Sequence, residues 1–161
     1  MLKASTKFKV ISLLTLAIML STLAFIVVQY LNKNKINKYV DIKNLVSETY
    51  ITPDGYSENL KKHVSENVFK SSNAYLYYND LKSDKVETPH MSINEINQHK
   101  INDSIFVYMN YSFTIDDSKG RILHCAMNVP VVFEVIKNKD GIYIKNKHEY
   151  ESPQDVPSQY K

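Results

Sequence analysis

The sequence is poor in the residues that build disulfide and metal scaffolds. It has a single cysteine, Cys125, among 161 residues, which excludes a disulfide framework and a zinc cluster built on several thiolates. It has only three glycines and contains no glycine-rich phosphate-binding loop. Tryptophan is absent, yet 43% of the residues are hydrophobic and 12 are tyrosines, so the composition is not that of a disordered chain.

Net charge is also small, and it is confined to the first residues. The chain has 20 basic and 17 acidic residues. All 17 acidic residues follow position 31, and so do 17 of the 20 basic ones, so the excess of three consists of Lys3, Lys7 and Lys9. A domain that neutralises many phosphates normally carries net positive charge, so the neutral remainder argues against a nucleic-acid partner.

Residues 10–31 contain no charged side chain, and they predict a transmembrane anchor. At ~1.5 Å per residue, a helix of these 22 residues spans roughly 33 Å, which is enough to cross the hydrocarbon core. A cleaved signal peptide is the alternative. Its apolar core would be shorter, however, and residues 29–32 offer no cleavage site made of small residues. The sequence therefore predicts an uncleaved single span.

The lysines that flank the span are nearly balanced, with three before it and Lys33, Lys35, Lys38 and Lys43 after it. A short lysine-bearing head followed by a span and a large domain is the usual form of an anchor whose domain lies outside. We therefore expect a protein of the cell membrane with five parts. These are a cytoplasmic head (1–9), the anchor (10–31), a linker (32–38), an extracytoplasmic domain (39–150) and a mobile tail (151–161).

Helical spacing of apolar residues dominates the first part of the domain. From Ile36 to Tyr50 the apolar residues recur with a helical period, which predicts a helix. The turn Thr52–Gly55 ends it, and a second short helix is expected around Tyr56–His63. Ser65 can cap a third.

Beyond Pro89 the apolar period changes from 3.6 to 2, which predicts strands. The odd positions of Ile105–Ile115 are all apolar, and after a turn at 116–120 the odd positions of Leu123–Val135 continue the pattern. These segments predict two long, half-buried strands joined as a hairpin. Pro130 within the second strand marks an edge or a bulge, because proline cannot donate to a strand ladder.

Two further strands complete the predicted sheet. Met91–Ile101 alternates imperfectly and predicts a bent strand, and Ile142–Tyr150 follows the turn Lys139–Gly141. Three helices followed by four antiparallel strands predict an α+β fold with two layers, in which a curved sheet wraps around the first helix.

The order of these elements resembles the nuclear transport factor 2-like, or cystatin-like cone, fold over Lys38–Tyr150. Within it, Tyr50–Phe69 (YITPDGYSENLKKHVSENVF) and the ending Val131–Tyr150 look like membrane-anchored members from Gram-positive bacteria. A short head, one span and an external cone domain are similar to the inner-membrane scaffold subunit of type IV secretion and conjugation machines. The resemblance implies a subunit of an envelope complex.

The sequence contains no plausible catalytic or metal-binding set. The enzymes known for the cone fold resemble ketosteroid isomerase or dehydratases, which need an ionisable group inside an apolar cavity. Here the apolar faces of the two best strands carry no carboxylate and no histidine. His124 and Glu134 lie on the opposite face, but ten residues of strand place them ~33 Å apart. The five histidines form no metal-binding spacing, and Cys125 falls on the apolar face as a buried thiol.

One group of aromatic residues is a candidate partner surface. Phe69, Tyr75, Tyr77 and Tyr78 could form an exposed patch for a protein partner, or they could pack between the third helix and the sheet. We therefore expect a non-catalytic scaffold or accessory subunit without a cofactor. Its partners would be other proteins of an envelope complex or further copies of the same chain. The alternatives are an extracytoplasmic cone that binds a lipid or a cell-wall fragment, and an enzyme that uses His124 and Glu134.

Overall fold

The structure is a computed structural model, and it describes residues 19–25, 27, 38–78, 81 and 89–161. The chain divides into two units, Met1–Ile36 and Asn37–Lys161. In the first unit the described residues are helical, and the apolar side chains of Met19, Leu23 and Phe25 are exposed.

The second unit is an α+β domain with a four-stranded antiparallel sheet, as the sequence predicts. Among its described residues, four short helices come first, where three were expected, and four strands follow in the sheet order β1-β2-β3-β4. The elements are α1 (Lys43–Ile51), α2 (Glu58–His63), α3 (Glu66–Lys70), α4 (Ala74–Tyr77), β1 (His90–Ile101), β2 (Ser104–Asp116), β3 (Ile122–Asn138), β4 (Gly141–Glu149) and a C-terminal 3-10 helix (Ser158–Tyr160).

The hydrophobic core lies between the helices and one face of the sheet, which we call the inner face. The odd residues of β2 are buried here, as the alternating pattern predicts, and Val107, Met109 and Ile115 are completely inaccessible to solvent. Val46 of α1 and Leu60 of α2 belong to the same core. Burial of this apolar surface is the main force that holds the two layers together.

The first helix begins later than its apolar period predicts. It starts at Lys43, and Val40 and Ile42 are buried in the segment that precedes it. The buried amide of Gln98 on β1 takes the place of helical hydrogen bonds. Its oxygen accepts from the backbone N–H of Val40 at 3.0 Å, and its NH₂ group donates to the Val40 carbonyl at 2.7 Å. A tertiary contact therefore satisfies the backbone that a longer helix would have used.

A bulge in β3 changes which side chains face the core. Tyr111 pairs with Val129, but Phe113 pairs with Ala126, so β3 has one residue more than β2 in this interval. The bulge residue Asn128 has a left-handed φ of 52°, and its N–H donates to the Ser112 hydroxyl at 3.0 Å. A strand that gains one residue exchanges its faces beyond that point. Sequence alternation alone predicts an unbroken odd face from Leu123 to Val135, and this prediction is wrong.

The segment 151–161, for which the sequence predicts a mobile tail, packs on the outer face of the sheet. Val156 is buried against Tyr108 and Val132, and the Tyr160 ring stacks on Phe106 at 4.8 Å. The carbonyl of Lys161 lies 3.0 Å from His99 Nε2. The even residues of β2 and β3 are apolar at these positions, and the tail covers them.

The predicted anchor falls mostly outside the described residues, as do the head and nearly all of the linker. Among the residues that the structure does describe, no helix has the length and apolar character needed to cross a membrane.

Candidate functional site

A pocket opens between the helices and the inner face of the sheet. Its volume is about 190 Å³. Five of its ten lining residues are aromatic, and one carboxylate, Glu149 of β4, reaches it. The lining side chains used below are Tyr50 of α1, Ser72, Tyr77 and Tyr78 near α4, Tyr111 and Phe113 of β2, and Ala126 of β3.

A buried asparagine holds the two helices that frame the pocket. The Asn73 side chain is 1% exposed, and its NH₂ group donates to the carbonyls of Thr49 and Thr52 at 3.1 and 2.9 Å. These carbonyls lie at the C-terminal end of α1, where helical partners run out. Asn73 also immediately precedes α4, so this contact fixes Tyr77 and Tyr78 beside Tyr50.

A hydrogen-bond network centred on Glu149 forms the base of the pocket. Its Oε1 accepts from the hydroxyls of Tyr50 and Tyr111, each at 3.0 Å, and from the Lys147 ammonium at 2.8 Å. Lys147 also donates to the Ser71 carbonyl at 2.7 Å and more weakly to the Tyr50 hydroxyl at 3.3 Å. Its ammonium lies 5.0 Å from the centre of the Tyr50 ring, a cation–π distance.

Burial and charge shift the pKa values of this network in ways that preserve it. Burial raises the pKa of Tyr50 and of Tyr111, and the nearby Glu149 charge raises both further. Burial also raises the pKa of Glu149, but the hydrogen bonds and charge of Lys147 and the two phenols outweigh it, so that pKa lies below its ordinary value. Burial lowers the pKa of Lys147, against the opposing effect of Glu149. At neutral pH, Glu149 is therefore ionised and both phenols keep their protons.

The mouth of the pocket is aromatic. The Tyr78 ring stacks on the His124 imidazole at 4.3 Å and on the Phe113 ring at 6.1 Å. The neighbouring Tyr77 is 65% exposed. The buried Ser72 hydroxyl lies next to Tyr50, and it forms no hydrogen bond with any described residue. The pocket thus combines apolar ring faces with a few polar groups at its base, the usual composition of a small-molecule site.

The aromatic residues predicted as a partner surface do not form one exposed patch. Phe69 is buried and stacks on Tyr56 at 5.0 Å. Tyr75 and Tyr78 pack against the core, so the packing alternative describes three of the four residues. Only Tyr77 among them is strongly exposed.

The structure separates His124 from Glu134 more completely than the sequence predicts. The β3 bulge places His124 on the inner face with Tyr78, while Glu134 lies on the outer face, where it accepts from Ser104, Lys145 and Asn146. The prediction that the two share one face is wrong. The same bulge exposes Cys125, which was expected to be buried. In the described part of the chain, no three potential metal ligands come together.

Lys147 and Glu149 were not predicted from the sequence as site residues. A signal for them exists, since two opposite charges stand two positions apart on a strand and therefore share a face. Their partners Tyr50 and Tyr111 are 99 and 38 residues away from Glu149 in sequence, so spacing along the chain could not connect them.

No protein-family model, no curated protein and no solved structure matches this chain.

Proposed function

We propose that this chain is a non-catalytic binding protein of the cell envelope, with a single-span anchor at residues 10–31 and a cone-like extracytoplasmic domain that holds a small molecule. The observation that carries the proposal is the pocket between the helices and the inner face, with aromatic walls and Glu149 at its base. In this proposal the Glu149 network orients the ligand, because its two phenols and its ammonium hold the carboxylate in place at the base of the pocket. We therefore prefer the ligand-binding alternative to the scaffold hypothesis that the sequence favoured.

The anchor rests on the sequence and on the exposed apolar residues of the first unit. The run 10–31 has no charge, and Met19, Leu23 and Phe25 expose most of their side chains, as residues facing lipid do.

Ligand binding is tested by native mass spectrometry of the full chain purified from membranes. We expect a bound small molecule, and we expect Ala126→Phe to remove it, because Ala126 lines the pocket and a ring there fills the space. Met127→Phe is the matched control, since Met127 is the next residue, is 64% exposed and does not line this pocket. A wild-type spectrum with only the ligand-free mass, or equal loss of ligand in both variants, would contradict the proposal.

Topology is tested with the native cysteine, because Cys125 is exposed. Intact cells are treated with a membrane-impermeant thiol reagent, and Cys125→Ser serves as the unlabelled control. Labelling of intact cells is the expected result. Labelling only after lysis would place the domain in the cytoplasm and overturn the extracytoplasmic assignment.

A second candidate function is the scaffold or accessory subunit of a conjugation or secretion complex. The observation that favours it is the pair Leu76 and Tyr77 on α4, which are 54% and 65% exposed. Apolar and aromatic side chains of this kind are enriched at protein interfaces. A photo-crosslinking residue at Leu76 in intact cells should then yield a crosslinked envelope protein or a second copy of this chain. Recovery of the uncrosslinked monomer alone would exclude this role for α4.

A further inference from the structure

The donors at the base of the pocket are already in use. An ammonium group has three N–H bonds, and those of Lys147 point to three acceptors: the Ser71 carbonyl, Glu149 Oε1 and the Tyr50 hydroxyl. The Lys147 side chain is only 9% exposed and does not line the pocket. Each of the two phenols has one O–H, and both O–H groups donate to Glu149. An anionic ligand would therefore find no charged donor here.

The Glu149 carboxylate, by contrast, can still accept hydrogen bonds. All hydrogen bonds from described residues to the Glu149 carboxylate go to Oε1, which receives three. A carboxylate has about four lone-pair sites over its two oxygens, so Oε2 keeps its capacity. The Glu149 side chain is 37% exposed and lines the pocket, so an incoming group can reach it. The hydroxyls of Ser72, Tyr77 and Tyr78 can donate or accept, and they do not favour either kind of ligand.

The walls favour a positive charge as well. The faces of tyrosine and phenylalanine rings carry negative potential and attract ammonium groups within about 6 Å. Tyr50 already holds the Lys147 ammonium in this way. Tyr77 offers a further, exposed ring at the mouth, whereas the neighbouring Tyr78 ring already stacks on His124. The volume of 190 Å³ equals the liquid volume of roughly six water molecules, which suits a small head group rather than a drug-sized molecule.

From these three observations we infer that the pocket binds an organic cation, an alkylammonium group that contacts Glu149 Oε2 and lies against the ring of Tyr77. The inference rests on the proposed binding function and names its ligand class. Such a group occurs in free amines and in the head groups of amine-bearing lipids, and the chemistry of recognition is the same for both.

The test compares three probes of equal shape on the full chain in detergent micelles by isothermal titration. Choline is the cation, 3,3-dimethylbutanol is its neutral isostere, and 3,3-dimethylbutyrate is the anion. We expect choline to bind roughly tenfold more tightly than the neutral probe and the anion to bind least. Glycerophosphocholine identifies the source, because binding equal to that of choline indicates a lipid head group and clearly weaker binding indicates a free ammonium compound. Both of these patterns support the cation site.

Two variants make the result specific to the pocket. Glu149→Gln keeps the size of the side chain and removes its charge, so the preference for choline over the neutral probe should disappear. Tyr77→Ala removes a ring that is 65% exposed, and choline binding should weaken several-fold. Glu151→Gln, the same substitution at an exposed position outside the pocket, should change nothing.

The outcomes separate this inference from the function on which it rests. Equal binding of choline and its neutral isostere would overturn the cation site, while the binding function would stand. Failure of all three probes would also overturn the cation site, and the mass spectrum of the purified chain would then decide the binding function independently. Unchanged choline binding in Tyr77→Ala and Glu149→Gln would place any cation site elsewhere on the protein.

Discussion

Two glutamates on opposite faces of the sheet each accept three hydrogen bonds, but they use their oxygens differently. Glu134 on the outer face accepts at Oε1 from Ser104 and Lys145 and at Oε2 from Asn146, so both oxygens are satisfied. Glu149 on the inner face accepts all three bonds at Oε1. Both glutamates line pockets, Glu134 on the outer face and Glu149 on the inner face, but only Glu149 has an oxygen to which no described residue donates. This difference is the reason for proposing that Glu149, and not Glu134, contacts a ligand.

The lysines of the two clusters also differ in exposure. Lys145 beside Glu134 is 52% exposed, and Lys147 beside Glu149 is 9% exposed. An exposed lysine gains little from its carboxylate partner, even though Glu134 itself is only 17% exposed, because water and salt screen the ammonium charge. A buried cation depends on its partners, since it has lost its hydration and cannot regain it locally. The inner cluster should therefore contribute to stability in a way that the outer cluster does not.

The largest expected effect comes from removing each lysine in turn. Lys147→Met leaves Glu149 without its charged partner and should lower the free energy of unfolding by about 3 kcal/mol, a value reduced by the partial exposure of Glu149. Lys145→Met, the matched control on the outer face, should change it by less than about 1 kcal/mol. Urea unfolding followed by circular dichroism measures both. Equal effects of the two substitutions would remove the distinction between the clusters.

The general fold could be predicted from the sequence because its strongest signals are local. The alternation in β2 and the turns at 116–120 and 139–141 depend on residues that are neighbours in the chain, and the structure confirms them. Ser65 was correctly expected to cap a helix, and its hydroxyl accepts from the Val68 N–H at 3.3 Å. The bend in β1 appears as a bulge between Glu95 and Asn97.

The candidate site could not be predicted in the same way, because it depends on one local irregularity and on distant contacts. A single extra residue at Asn128 moves His124 and Ala126 to the inner face and exposes Cys125. Asparagine tolerates a left-handed backbone, but the sequence does not show that it adopts one here. The packing of the tail could not be predicted because it depends on distant contacts. Val156 packs against residues of β2 and β3 that are far away in sequence.

Acidification should reduce the stability that the inner cluster contributes, by less than the lysine substitution does. Hydrogen bonds and the Lys147 charge hold the pKa of Glu149 below the ordinary value of 4.5 despite burial. Its ionised form therefore contributes stability that is complete above the pKa of the unfolded chain and is lost as pH falls through the lower pKa of the folded chain. The free energy of unfolding of the wild type should approach that of Glu149→Gln as pH decreases from 5 toward 3. A constant difference over that range would show that the Glu149 charge contributes nothing.

The smallest expected change in stability comes from substituting Asn128 in the β3 bulge, which places Ala126 on the wall of the pocket. Asn128 has a φ of 52°, a conformation that alanine adopts less readily than asparagine and glycine adopts freely. Asn128→Ala should lower the free energy of unfolding by about 0.5–1 kcal/mol, and Asn128→Gly should be close to neutral.

The rate at which a thiol reagent modifies Cys125 reports the strand register directly, because Cys125 is exposed only while the bulge lies between it and Val129. If the bulge holds in both variants, that rate stays at the wild-type value while stability changes. Slower modification in Asn128→Ala would instead show that the strand has returned to unbroken alternation, with Cys125 inside and His124 removed from Tyr78. Choline affinity should then fall together with the modification rate, because Ala126 reaches the pocket only through this bulge.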